Sequence, residues 1–172
     1  MHDLPVDLPF QYSIHSPTTF LEQHLAQLLP DWWLPIVTVL VVLQKSPIPL
    51  LEKTAATEQA KEWLRQHLLF LLTTVAEQLK QQGYASDVFD PRTGFPLCSQ
   101  PGCLPLDHIA VVQTTLGYPT QRLGGCRVID HPDWKTAVYP AILVSTAPPP
   151  TVEQVLKEFC GHTTTPVPLP KA

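Results

Sequence analysis

The chain has 172 residues, 44% of them hydrophobic, and a formal net charge of −4 at pH 7. This length suits a single domain with its own core. The negative charge, without any cluster of lysines and arginines, argues against a nucleic-acid-binding face. The N-terminus has no signal-peptide pattern, and the apolar stretch at residues 32–44 is too short to span a bilayer. We therefore expect a cytoplasmic protein without a membrane span.

The first half of the chain predicts two strands and two helices. Residues 1–9 are punctuated by prolines and are expected to be loose, and residues 10–15 alternate like a short edge strand. A helix is expected to start with Ser16 as N-cap and Pro17 in the first turn, and to end at Pro30. The β-branched apolar run at 34–43 predicts a strand buried on both faces. Apolar residues at helical spacing then predict a long helix over 57–82, with Gly83 as its left-handed cap.

The second half predicts further strands and two shorter helices. A strand is expected at 84–89 and a helix at 107–116, between Asp107 as its cap and Gly117 as its end. The apolar runs 123–130 and 137–144, joined by residues 131–134, predict a β-hairpin. A last helix is expected at 151–159. The Thr- and Pro-rich residues 161–172 are expected to form a disordered tail, so that residues 1–160 form one domain.

Together these elements predict an α+β fold. Its sheet is expected to be mixed and largely antiparallel, with helices packed against it.

Two stretches combine glycine with residues that can carry a function. In the first, Pro91 fixes φ and Gly94 tolerates a positive φ, as a tight turn requires. Asp87 and Asp90 are interpreted as structural turn residues, because no nucleophile lies beside them for acid–base catalysis. In the second stretch, residues 124 and 125 are glycines that directly precede Cys126, so backbone and thiol can approach a ligand or partner closely. Neither a phosphate loop nor a hydrolase triad has this layout.

The four cysteines do not form a recognisable metal or disulfide framework. They are spread through a chain that has its own apolar core, unlike a small disulfide-dense scaffold. A metal site would need Cys126 and His131 or His108 in addition to Cys98 and Cys103. The spacing of these two cysteines is not that of a zinc knuckle, so no metal site is expected. The alternative to a metal site is that Cys98 and Cys103 only flank the turn at Pro101 and Gly102.

The order of these motifs resembles the family of methylmalonic aciduria and homocystinuria type D proteins, which act in cobalamin trafficking. The first motif is Gly-Tyr-Ala-Ser-Asp-Val-Phe-Asp-Pro-Arg-Thr-Gly at residues 83–94. The second is Leu-Gly-Gly-Cys-Arg-Val-Ile-Asp-His-Pro-Asp-Trp at residues 123–134. Residues 17–45 are also similar to the start of that family's folded C-terminal domain, so the resemblance covers roughly residues 11–150. It implies a fold resembling the flavin nitroreductases, but without flavin, and fold analogy alone implies no reductase activity.

The resemblance also implies a function. It indicates a non-catalytic adapter or chaperone that docks on a partner resembling the type C cobalamin-processing protein and helps deliver cobalamin to its client enzymes. No cofactor is expected to bind tightly, and cobalamin would bind transiently through the partner. A homodimer is left open. The residues expected at the contact with cobalamin or the partner are Leu123, Gly124, Gly125, Cys126, Arg127 and His131.

The chain departs from the family pattern at the cysteine whose thiolate ligates cobalt during the handover. That cysteine falls on Gly125, and its neighbour falls on Cys126. Because adjacent side chains of a strand point to opposite faces, Cys126 is expected to point away from the ligating position unless a bulge at 124–125 redirects it. Two interpretations of Cys126 are open, a cobalt ligand that replaces the missing cysteine or a buried, inert thiol, and the inert thiol is the default. Arg127 either braces the corrinoid or forms a surface salt bridge, and His131 is interpreted as a turn contact.

Two other functions stay open at this point. One is a nitroreductase-like or thiol-dependent corrinoid-processing enzyme that uses Cys126. The other is a structural interaction module unrelated to cobalamin.

Overall fold

A five-stranded sheet forms the centre of the computed structural model, which describes residues 8–160 and 164–168. The elements in chain order are β1 (Phe10–His15), α1 (Thr19–Gln23), α2 (Leu25–Leu28), β2 (Thr38–Lys45), α3 (Ala55–Gln81), β3 (Ser86–Phe89), α4 (His108–Leu116), β4 (Thr120–Leu123), β5 (Cys126–Ile129), β6 (Val138–Ser145), α5 (Pro149–Cys160) and β7 (Thr164–Pro166). The sheet order is β3–β6–β2–β1–β7, and only the pairing of β7 with β1 is parallel among the described strands. The predicted α+β fold with a mixed, largely antiparallel sheet is confirmed.

Strand β2 lies at the middle of this sheet and is buried on both faces, as its composition predicts. Val39 and Val41 face a core cluster shared with α1, α2 and α4, whereas Leu40 and Val42 face a second cluster shared with α3 and α5. The sheet is thus covered by helices on both sides. The strand begins at Thr38 instead of residue 34, because the intervening segment carries a proline and is largely exposed.

Helices α3 and α4 form where the local signals predict them. Helix α3 starts with a capping box, in which the hydroxyl groups of Thr54 and Thr57 each accept a hydrogen bond from the other residue's backbone N–H. Gly83 follows it with a φ of +94°. The Asp107 carboxylate accepts from the N–H of Ala110 at 3.0 Å to cap α4, and Gly117 ends that helix with a φ of +71°.

The N-terminal helix prediction needs correction. Thr18, and not Ser16, is the N-cap, since its hydroxyl accepts from the N–H of Leu21. The predicted helix is also divided at His24 into the two short helices α1 and α2. Pro17 therefore lies outside the helix, before the cap.

Strand β1 is not an edge strand over its first half. Its residues Phe10–Tyr12 pair with β7 on the side opposite β2. The structure therefore differs from the predicted disordered tail at residues 164–166. Residues 161–163 and 169–172 of that tail, and residues 1–7 of the loose N-terminus, lie outside the described residues. The boundary of a 1–160 domain stays a prediction.

The predicted hairpin between 123–130 and 137–144 is wrong. Strand β6 pairs with β2 and β3 inside the main sheet, whereas β5 pairs with β4 in a separate two-stranded hairpin. The physical reason is burial. The residues of β6 are largely buried, so they occupy the middle of the sheet, while β4 is largely exposed and can only form an outer ribbon.

Candidate functional site

The β4–β5 hairpin carries the candidate contact residues of the second glycine motif. Leu123 pairs with Cys126, so residues 124 and 125 form the two-residue turn of the hairpin and not a bulge within a strand. Gly124 has a φ of +59°, the value that the first central position of a type II′ turn requires. A Cβ added at either glycine would meet no heavy atom within 4 Å. The turn therefore points into open space, with Leu123 52% exposed beside it.

The thiol of Cys126 lies at the base of the turn, against α3 and the segment before it. Its Sγ is 3.9 Å from the Leu50 carbonyl oxygen and 3.9 Å from the Lys61 Nζ. Cys126 is half-buried and packs with a small cluster that includes Trp63 and Val128. The structure thus places residue 125 in the open turn and the Cys126 thiol in contact with the core.

The first glycine motif is a closed turn that is fixed to α3. Asp90 accepts two hydrogen bonds from Arg65, from Nε at 2.8 Å and from Nη2 at 2.6 Å, and a third from the N–H of Arg92. This bidentate pair lowers the pKa of the Asp90 carboxyl below its ordinary value. Sequence reasoning missed Arg65, which lies 25 positions away on the helix. The only sequence signal for this ion pair was an arginine on α3 beside the apolar residues that face the core.

Gly94 closes the same turn under tight steric conditions. Its φ is +77°, and a Cβ at this position would lie 2.6 Å from the Leu106 carbonyl oxygen and 2.8 Å from the Pro105 Cβ. Leu106 also donates its N–H to the Gly94 carbonyl at 2.7 Å. Gly94 therefore lets the turn pack directly on the segment that leads into α4.

Asp87 fixes the loop at residues 95–106. Its side chain is buried, and its carboxylate accepts from the backbone N–H groups of Val88, Cys98 and Ser99 at 2.6–3.2 Å. Cys98 and Cys103 are exposed free thiols on this loop. Asp87 thus has a structural position, away from the hairpin turn.

A cavity of about 610 Å³ connects the two motifs, and we name it the α3–β5 cavity. It is bounded by one face of α3, the turn at 91–94, the start of α4, strand β5 and the start of β6. Leu50 and Lys61 line it and also contact the Cys126 thiol. The cavity therefore lies next to the base of the hairpin turn.

A family model described as methylmalonic aciduria and homocystinuria type D protein matches residues 9–157. The chain belongs to this family. A search among curated proteins found no match. Membership implies a role in cobalamin metabolism. The match also covers both glycine motifs and every element from β1 to most of α5.

Arg127, a residue of the type D family motif at 123–134, lies in β5 and lines the α3–β5 cavity. Its guanidinium pairs with the Asp107 carboxylate, which at the same time caps α4. Burial alone would raise the pKa of the Asp107 carboxyl, but the N–H of Ala110 and the charge of Arg127 outweigh it and lower that pKa. Arg127 is thus engaged in a partly exposed salt bridge that connects the hairpin to α4.

His131 is the last of the predicted contacts with cobalamin or the partner, and it lies apart from the hairpin turn. It is 1% exposed, stacks on Trp134 with ring centroids 4.2 Å apart, and lines a second cavity next to β1. Its Nδ1 accepts from the N–H groups of Asp133 and Trp134, so the proton is on Nε2 and is donated to Gln11. Burial lowers the pKa of this ring. Because both nitrogens have partners, His131 acts as a turn contact.

The described ranges of this type D family member, 8–160 and 164–168, contain no group of three histidine, cysteine, aspartate or glutamate side chains placed to hold a metal ion. Their helices also include none that is both long and apolar enough to cross a membrane. The cytoplasmic location stays a prediction.

Proposed function

We propose that this chain is a cobalamin-trafficking adapter that docks on a corrinoid-processing partner through the β4–β5 hairpin. The observation that carries the proposal is the open turn at Gly124 and Gly125, with the half-exposed Leu123 beside it. The family role in cobalamin metabolism supports cobalamin as the molecule that is delivered. The partner would resemble the type C proteins.

The exposed face of the hairpin suits a protein partner. Gln121, Arg122 and Leu123 are all exposed, and the outer edge of β4 has no paired strand among the described residues. An exposed strand edge offers backbone hydrogen bonds to a second chain. An apolar side chain at the tip can then bury itself in the partner, as anchor residues of interfaces do.

Docking by this hairpin does not require the Cys126 thiol. That thiol packs against Leu50 and Lys61, whereas residue 125 projects into open space. We propose that this chain holds cobalamin through its partner, without a stable cobalt–sulfur bond. Delivery to client enzymes would follow from the complex and not from chemistry on this chain.

The docking proposal is tested by measuring complex formation with a type C partner by size-exclusion chromatography and calorimetry. We expect Leu123→Asp to weaken the complex by at least about tenfold, because a charge would replace an apolar anchor. Leu97→Asp is the matched control, since Leu97 is another exposed leucine, at 38%, on a different loop. A complex that Leu123→Asp leaves unchanged would contradict docking by the hairpin.

The absence of thiolate chemistry is tested by visible absorption titration of cobalamin in the presence of the partner. Wild type and Cys126→Ser are expected to give the same spectrum, with no cobalt–sulfur band. Gly125→Cys is expected to gain that band, because a side chain at residue 125 meets no neighbour and the φ there is not in the left-handed region. A wild-type band that Cys126→Ser removes would instead identify Cys126 as the ligand.

The same preparations separate the two other functions. Flavin or corrinoid that stays bound through purification would support an enzyme, because a true cofactor site retains its ligand. Failure to form a complex, together with unchanged cobalamin spectra, would support a structural module unrelated to cobalamin.

A further inference from the structure

We propose that the α3–β5 cavity binds the uncharged, amide-bearing edge of a corrinoid ring while the hairpin engages its partner. This inference rests on the proposed function and extends it to a specific binding site. It is carried by three properties of the cavity, namely its continuity with the hairpin turn, its internal charge balance and its size.

Two residues connect the α3–β5 cavity with the base of the hairpin turn. Leu50 and Lys61 line the cavity, and both contact the Cys126 thiol at 3.9 Å at the base of the turn. Strand β5 forms the wall between the turn and the cavity, through Arg127 and Val128. A corrinoid held near the turn would therefore lie beside the cavity, which shares these two residues with the base of the turn.

The charge balance of the cavity favours an uncharged ligand. Four cationic side chains line it, and each has a carboxylate within 4.0 Å. The pairs are Lys61 with Glu58, Arg65 with Asp90, Arg92 with Glu62, and Arg127 with Asp107. A phosphate entering this site would have to compete with carboxylates that are already in place. A flavin phosphate or the phosphodiester of a nucleotide tail is therefore disfavoured here.

The rim offers hydrogen-bond donors and acceptors side by side. Guanidinium groups donate and carboxylates accept, and a primary amide needs both kinds of partner. Tyr139 adds a phenol to the wall of the cavity. Burial, together with the nearby Asp90 carboxylate, raises the pKa of this phenol, so it stays protonated and can donate. Corrinoid rings carry several amide side chains on an otherwise apolar framework.

The apolar part of the lining and the cavity volume fit an edge of the ring. Leu50, Val128 and Val138 provide buried apolar surface between the ion pairs. A volume of about 610 Å³ lies within the range of about 300–1,000 Å³ that encloses drug-sized ligands. A whole corrinoid is larger than such ligands, so the cavity would enclose only part of it.

The test uses dicyanocobinamide, whose cobalt has both axial positions filled by cyanide and which lacks the nucleotide tail. Its affinity is measured by calorimetry for the chain alone and for the chain with the type C partner. Thr93→Trp places an indole at the cavity mouth and is expected to weaken binding at least about tenfold. Thr114→Trp is the matched control, because Thr114 is also an exposed threonine and lies outside the cavity. Tyr139→Phe is expected to weaken binding about two- to tenfold, the effect of one neutral hydrogen bond.

Four results would overturn the inference. The first is equal binding by the two tryptophan variants. The second is no binding of dicyanocobinamide by the chain, with or without its partner. The third is dicyanocobalamin binding more than about tenfold tighter than dicyanocobinamide, which would place the nucleotide tail in the cavity. The fourth is flavin mononucleotide binding more tightly than dicyanocobinamide. The failure of this inference and the failure of the docking proposal are distinguishable, because dicyanocobinamide binding to the chain alone tests the cavity without the partner, whereas formation of the partner complex without a corrinoid tests the hairpin.

Discussion

The turn at residues 90–94 and the turn at residues 124–125 both depend on glycine, but their surroundings differ. At Gly94 an added Cβ would lie 2.6 Å from a backbone oxygen, and at Gly124 it would meet nothing within 4 Å. The first turn is also fixed by the Asp90–Arg65 pair, whereas the second connects two short strands that pair with each other. Glycine thus serves close packing in one motif and exposure in the other. A glycine motif therefore indicates backbone geometry, and its surroundings decide whether it acts in the fold or at a binding surface.

The largest effect in this comparison is expected at the closed turn. Gly94→Ala should lower the free energy of unfolding by about 4 kcal/mol, since both the left-handed φ and the contact with backbone atoms are costly. Urea denaturation followed by circular dichroism measures it. Gly124→Ala is the control, with a similar φ and open space. Equal losses in the two variants would show that backbone strain, and not packing, distinguishes Gly94 from other residues.

A somewhat smaller effect is expected from the ion pair that fixes the closed turn to α3. Arg65→Met leaves the Asp90 carboxylate, 8% exposed, without its cation, and should cost about 3 kcal/mol at pH 7. Because Arg65 holds the pKa of Asp90 below its unfolded value, the pair stabilises the fold above about pH 4 and loses this contribution as the pH falls through the folded pKa. The difference between wild type and Arg65→Met should therefore shrink in acid. A difference that is the same at pH 7 and pH 3 would rule out the carboxylate as its source.

The two turns also show what a sequence can predict. Helices α3 and α4 follow from local signals, because their periodicity, their caps and the glycines that end them lie within the segment itself. The buried strand β2 follows from its composition. In each case, the residues that determine the element are neighbours in the chain.

The hairpin was missed because pairing is decided by the whole fold. The sequences of β5 and β6 both predict strands. The residues of β6 are largely buried, however, so β6 lies in the main sheet and pairs with β2 and β3. The partner of β5 is instead Thr120–Leu123, a polar, exposed segment with no strand-like alternation of its own. The usable signal was the pair of glycines between two four-residue segments, which is typical of a two-residue hairpin turn. The Asp90–Arg65 pair had no comparable signal, because its members are joined only by tertiary packing.

The smallest effect is expected within the open turn, where the two glycines can be compared directly. Gly124→Ala should cost about 1 kcal/mol, because a residue with a Cβ is strained at a φ of +59°. Gly125→Ala should change stability by less than about 0.5 kcal/mol, since its φ is not in that region and its surroundings are open. Thermal unfolding measures both differences. If the Gly125→Ala variant folds like wild type but loses the partner complex, glycine at this position is needed for the partner to approach the backbone closely. If the variant keeps the complex, the turn tolerates a side chain, as the Gly125→Cys experiment requires.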